Sequence, residues 1–347
     1  MQLVLDTHNI ALRQRNKSFY ITAGKERRMI SPLKVSSIAV ISPCTLTSAA
    51  VLLAVEHKIP IIFFDHSGEP DAQVWSTRFG NLAELRRAQV LFAMTDDSAA
   101  WAAEVYALKT AGQMDNLRWM QAKSAELPKT HAALQKAIEA MIPLAAQLPE
   151  KARAADPFVA LMGAEGALAR HYWPAWGGAA PTGFGFSTRS RRPALDPHNA
   201  ALNYLYGMLY NAVESAVLAA GMDPMFGIMH ADEFGAPTLV FDLIEPFRPM
   251  ADRLLIQLLY DGTLDARHFE PYQGGIGANR EGRKILISSF NNWLQAPAIF
   301  RGQEARLKNH IFTLAGELST RLKHFWENDN LGKLRHRKRP LASEDSQ

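Results

Sequence analysis

The amino-acid sequence changes character once, near Gly80, and that break limits what the chain can fold into. Before it, short apolar segments are separated by turn chemistry. Gln2–Asp6, Asn9–Arg13, Ser18–Thr22, Ser36–Ile41, Pro60–Asp65 and Ala72–Trp75 read as strands, with Asn16-Lys17, Gly24-Lys25 and Ser67-Gly68-Glu69-Pro70 as turns. Thr45 to His57 interrupts them with Leu46, Ala49, Ala50, Leu53 and Ala54, a one-sided apolar stripe that predicts a helix. Beyond the break the apolar period is helical. Asn81, with Glu84 three residues on, has the form of a capping box. Helices are predicted at about 81–94, 98–111, 114–125, 130–146 and 157–173, punctuated by Gly112, Pro128 and Pro149. Asp196-Pro197 opens a further helix that Gly221 stops, and Glu245-Pro246 opens one that runs to Tyr260. Helices near 281–295 and 302–326 complete the set. The expected fold class is α+β: a small N-terminal β-rich domain with one helix over 1–78, then a larger all-helical domain over 79–326. A basic tail over 327–347 lacks an apolar period and is expected to be disordered.

A chain of 347 residues is too long for one ordinary core and suits two domains. Lys and Arg number 38 against 34 Asp and Glu, a formal net charge of +4, which permits a polyanionic partner without demanding one. Cys44 is the one cysteine, so neither an intrachain disulfide nor a cysteine-based zinc site can form. No apolar run of 18 residues occurs, and the first residues lack the basic-then-apolar pattern of a secretory signal. No membrane association is expected, and the expected location is a reducing cytoplasm. Pro174 to Pro197, rich in Gly and Pro and carrying Arg189, Arg191 and Arg192, reads as a long mobile loop of a length that is often functional.

Three segments of the helical part place acid or imidazole groups where packing would not ask for them. Glu165 stands among small and apolar residues, Met162 to Ala169, where a buried carboxylate would need a cation or a proton; it could equally be a surface Glu beside small residues that allow close helix packing. His230 ends Gly227-Ile228-Met229-His230, and a lone histidine there could be a hydrogen-bonded core group or a ligand. The strand-like apolar run from Leu239 ends in two carboxylates, Asp242 and Glu245, three residues apart. Pro246 then puts Glu245 at or beside a helix N-cap, where a carboxylate stabilises the helix by roughly 1 kcal/mol. Capping explains neither Asp242 nor the nearby Arg248. Mixed oxygen and imidazole donors suit magnesium or manganese better than a closed zinc site. Such an ion can polarise a phosphate oxygen and lower the pKa of an attacking hydroxyl.

At these residues the chain resembles the CRISPR-associated integrase of spacer acquisition, the Cas-one family. The matching text comprises Glu165-Gly166 with Tyr172, Arg191-Arg192-Pro193, Asp196-Pro197-His198-Asn199-Ala200 with Tyr206, Gly221-Met222-Asp223-Pro224, Gly227 to His230, and Asp242 to Pro249 with Asp252. A weaker match follows at Glu281-Gly282-Arg283-Lys284. The resemblance implies that Glu165, His230 and Glu245 hold a Mg2+ or Mn2+ ion, with Asp242 as an auxiliary ligand. It implies a β-rich N-terminal domain that forms most of a homodimer contact, and a helical catalytic domain. The implied activity is metal-dependent endonuclease and strand-transfer chemistry. The 3′-hydroxyl of a short DNA fragment is joined to a phosphate at a CRISPR repeat boundary by transesterification, with no covalent protein–DNA intermediate. Double-stranded and branched DNA are the implied substrates, and a small Cas-two dimer bridging two dimers of this chain is the implied protein partner. Arg189, Arg191, Arg192, Arg248, Arg283 and Lys284 are expected phosphate contacts, with solvated charge as the alternative and, for Arg248, pairing with Asp242 or Asp252. Asn199 and Tyr206 are expected neighbours of the site. Two other function classes fit the same residues: a structure-selective nuclease for branched DNA, and a non-enzymatic DNA-binding scaffold. Joined against cleaved product separates the first from an integrase, and metal-dependent turnover separates the second.

Overall fold

The computed structural model describes residues 2–328 except 6–9, 25, 36, 58, 60, 65–69, 75–81, 182, 183, 187 and 232–234. The Asn81 cap, the turn residues Lys25 and Ser67 to Glu69, and the tail beyond Asn328 lie outside the described residues.

The first part carries β1 (Gln2–Leu5), β2 (Ala11–Arg15), β3 (Ser18–Ala23), β4 (Glu26–Ile30), β5 (Ser37–Val40), β6 (Thr45–Leu46), α1 (Ser48–Glu56), β7 (Ile61–Phe64) and β8 (Pro70–Val74). They form two four-stranded sheets, ordered β1-β5-β7-β8 and β4-β3-β2-β6. β1, β5 and β7 run parallel, which requires crossovers; the β2–β4 meander supplies one and α1 the other. Alternation sets the buried faces. Leu12, Phe19, Ile21, Ile38 and Ile61 point into one core with Ala50, Leu53 and Ala54 of α1. Thr47 caps α1, its hydroxyl accepting from the Ala50 amide at 3.3 Å. Sequence patterning missed β4 because Glu26 to Met29 are all exposed and only Ile30 is buried. A polar edge strand carries no period to read.

The helical part comprises α2 (Leu82–Phe92), α3 (Asp96–Lys123), α4 (Pro128–Ala146), α5 (Leu148–Lys151), α6 (Pro157–Ala179), α7 (Pro197–Ala219), α8 (Thr238–Ile244) and α9 (Arg248–Tyr260). There follow β9 (Phe269–Tyr272), β10 (Gly275–Ala278), α10 (Arg280–Gln295), β11 (Pro297–Phe300), β12 (Gln303–Arg306) and α11 (Leu307–Asn328). The chain divides into two compact units. One is Met1–Gln89 with Ser215–Asp223 and the described residues of Gly316–Gln347; the other is Val90–Glu214 with Pro224–Ala315. Among the described residues no helix is long and apolar enough to cross a membrane.

Several sequence expectations are corrected. The helical part is not all-helical: β9 with β10 and β11 with β12 form two antiparallel hairpins. The second occupies the predicted start of the last helix, because Arg301 at φ 53° and Gly302 at φ 75° make a left-handed two-residue turn that a helix cannot contain. α6 continues through Pro174 to Ala179, so the connection to α7 is shorter than expected. Asp196 does cap α7, accepting from the Asn199 amide at 2.8 Å. The expected strand over 239–244 is α8. Pro246 has no amide proton to donate, so the chain tightens into a 3-10 turn over Glu245–Phe247 before α9. Glu245 therefore lies inside one helical run rather than at an N-cap.

The helices predicted either side of Gly112 are one helix, α3. Glycine is there for proximity, not as a break: a Cβ on Gly112 would come within 2.9 Å of the Pro249 Cβ on α9. Gly112→Ala is expected to destabilise the chain by about 1–3 kcal/mol, since neither backbone nor proline ring can yield cheaply. Urea unfolding checks this; an unchanged midpoint would show that the two helices can move apart.

Candidate functional site

α3 places Tyr106, Lys109, Gln113 and Asn116 along its buried stripe, where a bare packing helix would put aliphatic side chains. Buried polar groups need partners. α6 supplies Glu165 and Tyr172, α7 supplies Tyr206 and Tyr210, and the run from α8 to α9 supplies Asp242, Glu245, Arg248 and Asp252.

At the centre is an ion cluster. The Lys109 Nζ lies 2.6 Å from Glu165 Oε1 and 2.6 Å from Glu245 Oε2. The first contact is an aligned hydrogen bond. The second is an ion contact without that alignment, so the buried Glu245 Oε2 receives no aligned donor. Glu245 Oε1 accepts from Arg248 Nε at 2.8 Å. Arg248 in turn donates from Nη2 to the Tyr210 hydroxyl at 2.6 Å and lies over the Tyr206 ring, 4.8 Å from its centroid. Burial alone would push the Glu245 carboxyl up, but the Arg248 guanidinium and then the Lys109 ammonium outweigh it and hold it at about 2. Burial likewise favours a neutral Lys109, and Glu245 and Glu165 overcome that and raise its pKa. Burial, then Glu245 and Glu165, push the Tyr106 phenol up, so it stays protonated.

His230 is oriented by Asp242. The fully buried Asp242 carboxylate accepts the Ile228 and Met229 amides on Oδ2, at 2.6 and 3.0 Å. Its Oδ1 accepts the His230 amide at 3.1 Å and pairs with His230 Nδ1 at 2.6 Å. The hydrogen bond to Asp242 raises the His230 pKa, against burial, and Glu245 is near enough to add to the rise. That bond engages Nδ1 and not Nε2. Both oxygens of Asp242, expected as an auxiliary ligand, accept from these donors.

Beneath the ion cluster, Asp252 collects two phenols, Tyr172 donating to Oδ2 at 2.8 Å and Tyr206 to Oδ1. Burial lifts its carboxyl to about 6, and the two phenols, Arg189 and Arg248 limit the rise. Asn116 joins this layer to the helix crossing, donating to Tyr172 at 3.1 Å and to the Pro249 carbonyl at 2.7 Å.

The expected phosphate contacts separate into two kinds. Arg191, Arg192, Arg283 and Lys284 are exposed, with Arg283 also donating to the Ala278 carbonyl at 2.9 Å. Arg248 and Arg189 are engaged internally, and Arg248 is buried. Arg189 donates to Asn199 at 2.8 Å and to Asn203 at 2.7 Å. Asn199 is fully buried and uses its whole amide: Oδ1 accepts from Arg189 and the Ser190 amide, and Nδ2 donates to the Thr188 carbonyl and Asp196. The 188–192 stretch, expected to be mobile, is thus fastened to the start of α7. Asn199 organises that stretch, whereas Tyr206 joins the site itself.

Glu165 and Glu245 are brought together around one ammonium, and His230 lies within electrostatic range of Glu245. Among the described residues no group of three or more His, Cys, Asp or Glu side chains is already disposed to hold a metal ion. The donor set still fits a hard divalent cation. Two carboxylates converge on a site that already holds positive charge, one of their buried oxygens lacks an aligned donor, and an imidazole nitrogen remains free of the Asp242 bond. Lys109 was not foreseen.

The family described as CRISPR associated protein Cas1 matches residues 3–292. The chain is similar to a protein of Rhodospirillum rubrum named CRISPR-associated endonuclease Cas1 2, at 32% identity over 278 residues, covering 77% of this chain and 78% of that one. Its fold is similar to a casposase bound to integration product (TM-score 0.67, 21% identity, 93% and 95% of the two chains). It is also similar to a chain of a partial Cas6-RT-Cas1–Cas2 complex (TM-score 0.68, 23% identity, 93% and 96%). With the β-rich start, the helical remainder and a match over most of its length, the chain belongs to the Cas1 family of CRISPR-associated proteins.

Proposed function

We propose that the chain is a metal-dependent DNA integrase of CRISPR adaptation, joining short DNA fragments into a repeat array by transesterification. One observation carries this reading: Glu165 and Glu245, from helices far apart in sequence, converge on a single cation position beside an oriented histidine. The endonuclease name of the Rhodospirillum rubrum relative supports the nucleolytic half, and the integration product bound by the casposase supports the joining half.

Glu165, His230 through Nε2 and Glu245 would hold a Mg2+ or Mn2+ ion. When bound, such an ion polarises a phosphate oxygen and makes an attacking hydroxyl more acidic. The remaining work falls to the chain. Arg248 keeps Glu245 ionised in a buried setting, and Asp242 fixes the imidazole's tautomer and direction. The exposed Arg191, Arg192, Arg283 and Lys284 are available to hold phosphates. No residue need bond covalently to DNA, because the 3′-hydroxyl oxygen forms a new bond to phosphorus as an existing P–O ester bond breaks, the hydroxyl losing its proton and the departing oxygen gaining one. The β-rich unit would form the homodimer contact. A small Cas2 dimer would bridge two such dimers, as the Cas1–Cas2 complex that shares this fold suggests.

Labelled fragment, a supercoiled repeat target and a branched substrate test the reading together. Joined product on the target, dependent on added metal, is the expected result. Cleavage without any joining would mark a structure-selective nuclease instead, and binding without turnover a scaffold.

Asp242→Asn is expected to lower activity by about 10–100-fold, because an amide nitrogen would face amide donors and release the imidazole. Steady-state cleavage of branched DNA checks it, with circular dichroism confirming the fold.

A further inference from the structure

We propose that Lys109 is a resident counter-cation that competes with a divalent ion for Glu165 and Glu245, and must swing out before the ion can enter. This deepens the metal-centre reading and rests on it. The geometry is direct: one ammonium nitrogen lies 2.6 Å from an oxygen of each carboxylate. A magnesium ion sits about 2.0–2.1 Å from its oxygen ligands. Ion and ammonium would need the same lone pairs and the same space, with like charges in contact. They cannot share the position.

The two cations around Glu245 differ in their freedom to leave. Arg248 is pinned by the Tyr210 hydroxyl and stacked over the Tyr206 ring. The Lys109 ammonium is held by the two carboxylates and lies 6.0 Å from the Tyr106 ring centroid, on a flexible four-carbon stem. Lys109 is thus the group that can yield. Its presence also accounts for the disposition of the acids. Without a cation between them, Glu165, with its side chain 30% exposed, would lose its ion pair and face the Glu245 carboxylate, 7% exposed, whose other oxygen Arg248 holds. Lys109 keeps them together and keeps the site intact before metal arrives. The same contact makes metal loading conditional, since an ion must offer more than the ammonium it displaces.

The test is Mn2+ titration of the full-length, DNA-free protein, followed by electron paramagnetic resonance. Wild type, Lys109→Met, Lys109→Arg and Glu245→Gln are compared. Lys109→Met is expected to bind Mn2+ about tenfold or more tightly than wild type, the scale of removing one close charge competitor. Lys109→Arg should bind no more tightly than wild type, and Glu245→Gln should bind far more weakly. Binding that needs Glu245 but is equal or weaker in Lys109→Met overturns the competition and leaves the metal centre standing. No Glu245-dependent binding in any variant overturns both. A second measurement needs no variant. Acetylation of Lys109 in wild type, followed by mass spectrometry, should speed up by about tenfold at saturating Mn2+ relative to chelator, as the amine leaves its ion pairs. An unchanged rate with Mn2+ bound means the ammonium stays in place, and the proposal fails.

Discussion

Glu165→Ala is expected to lose both strand transfer and branched-DNA cleavage by about 10³-fold or more, on the scale of removing a group that stabilises developing charge. It should nevertheless unfold within a few degrees of wild type. The two halves of that expectation come from one geometry. The Glu165 side chain is 30% exposed, and its ion-pair partner, Lys109, also contacts Glu245. Removing Glu165 therefore strands no buried charge. Gel assays on labelled branched DNA, beside a thermal melt, measure both quantities. Wild-type joining by a folded Glu165→Ala protein would remove Glu165 from the site.

Glu245→Gln should behave differently, losing activity and stability together. Its carboxylate is buried between Arg248 and Lys109, and a glutamine would leave the buried Arg248 guanidinium without its carboxylate, while Lys109 keeps Glu165. Breaking such a buried pair costs about 3–5 kcal/mol. The pH dependence gives an independent check. With a folded pKa of about 2 against an ordinary glutamate value near 4.3, the native state binds this proton less readily than the unfolded chain. The resulting stabilisation, about 3 kcal/mol, is complete above the unfolded value and is lost as pH falls through the folded one. Wild type should lose stability between roughly pH 4.5 and 2 more steeply than Glu245→Gln. Urea midpoints across that window decide it; parallel curves would show that Glu245 is not ionised against its neighbours.

Much of this site could be read from sequence because its acids break the local pattern. Glu165 stands among alanines and glycines, and Glu245 follows an apolar run. Other parts were hidden by burial itself. In α8, Thr238, Leu239, Val240, Asp242, Leu243 and Ile244 are all buried, so apolarity carries no 3.6-residue period and a strand was the natural reading. Asp242, an auxiliary ligand by resemblance, also accepts the amides of 228–230, which sequence cannot bring near. Lys109 was missed because a lone lysine on a long helix is ordinarily solvated. The available signal was its company: Tyr106, Lys109, Gln113 and Asn116 recur at helix spacing on the stripe that also holds Ala102 and Met120. Polar residues repeating on an otherwise apolar stripe ask for partners elsewhere. The hairpins were hidden for a plainer reason, that each strand has four residues and mixed polarity.

The contact of Gly112 with Pro249 has a bearing on how such a site can drift over generations. Lys109 lies one turn before that glycine, and Glu245 one turn before that proline. Where a Cβ on Gly112 would already come within 2.9 Å of the Pro249 ring, a shorter acid at 245 could not be accommodated by drawing the helices inward. A lineage trading glutamate for aspartate there would have to change the residue at 109 in step, so the two positions should vary as a couple.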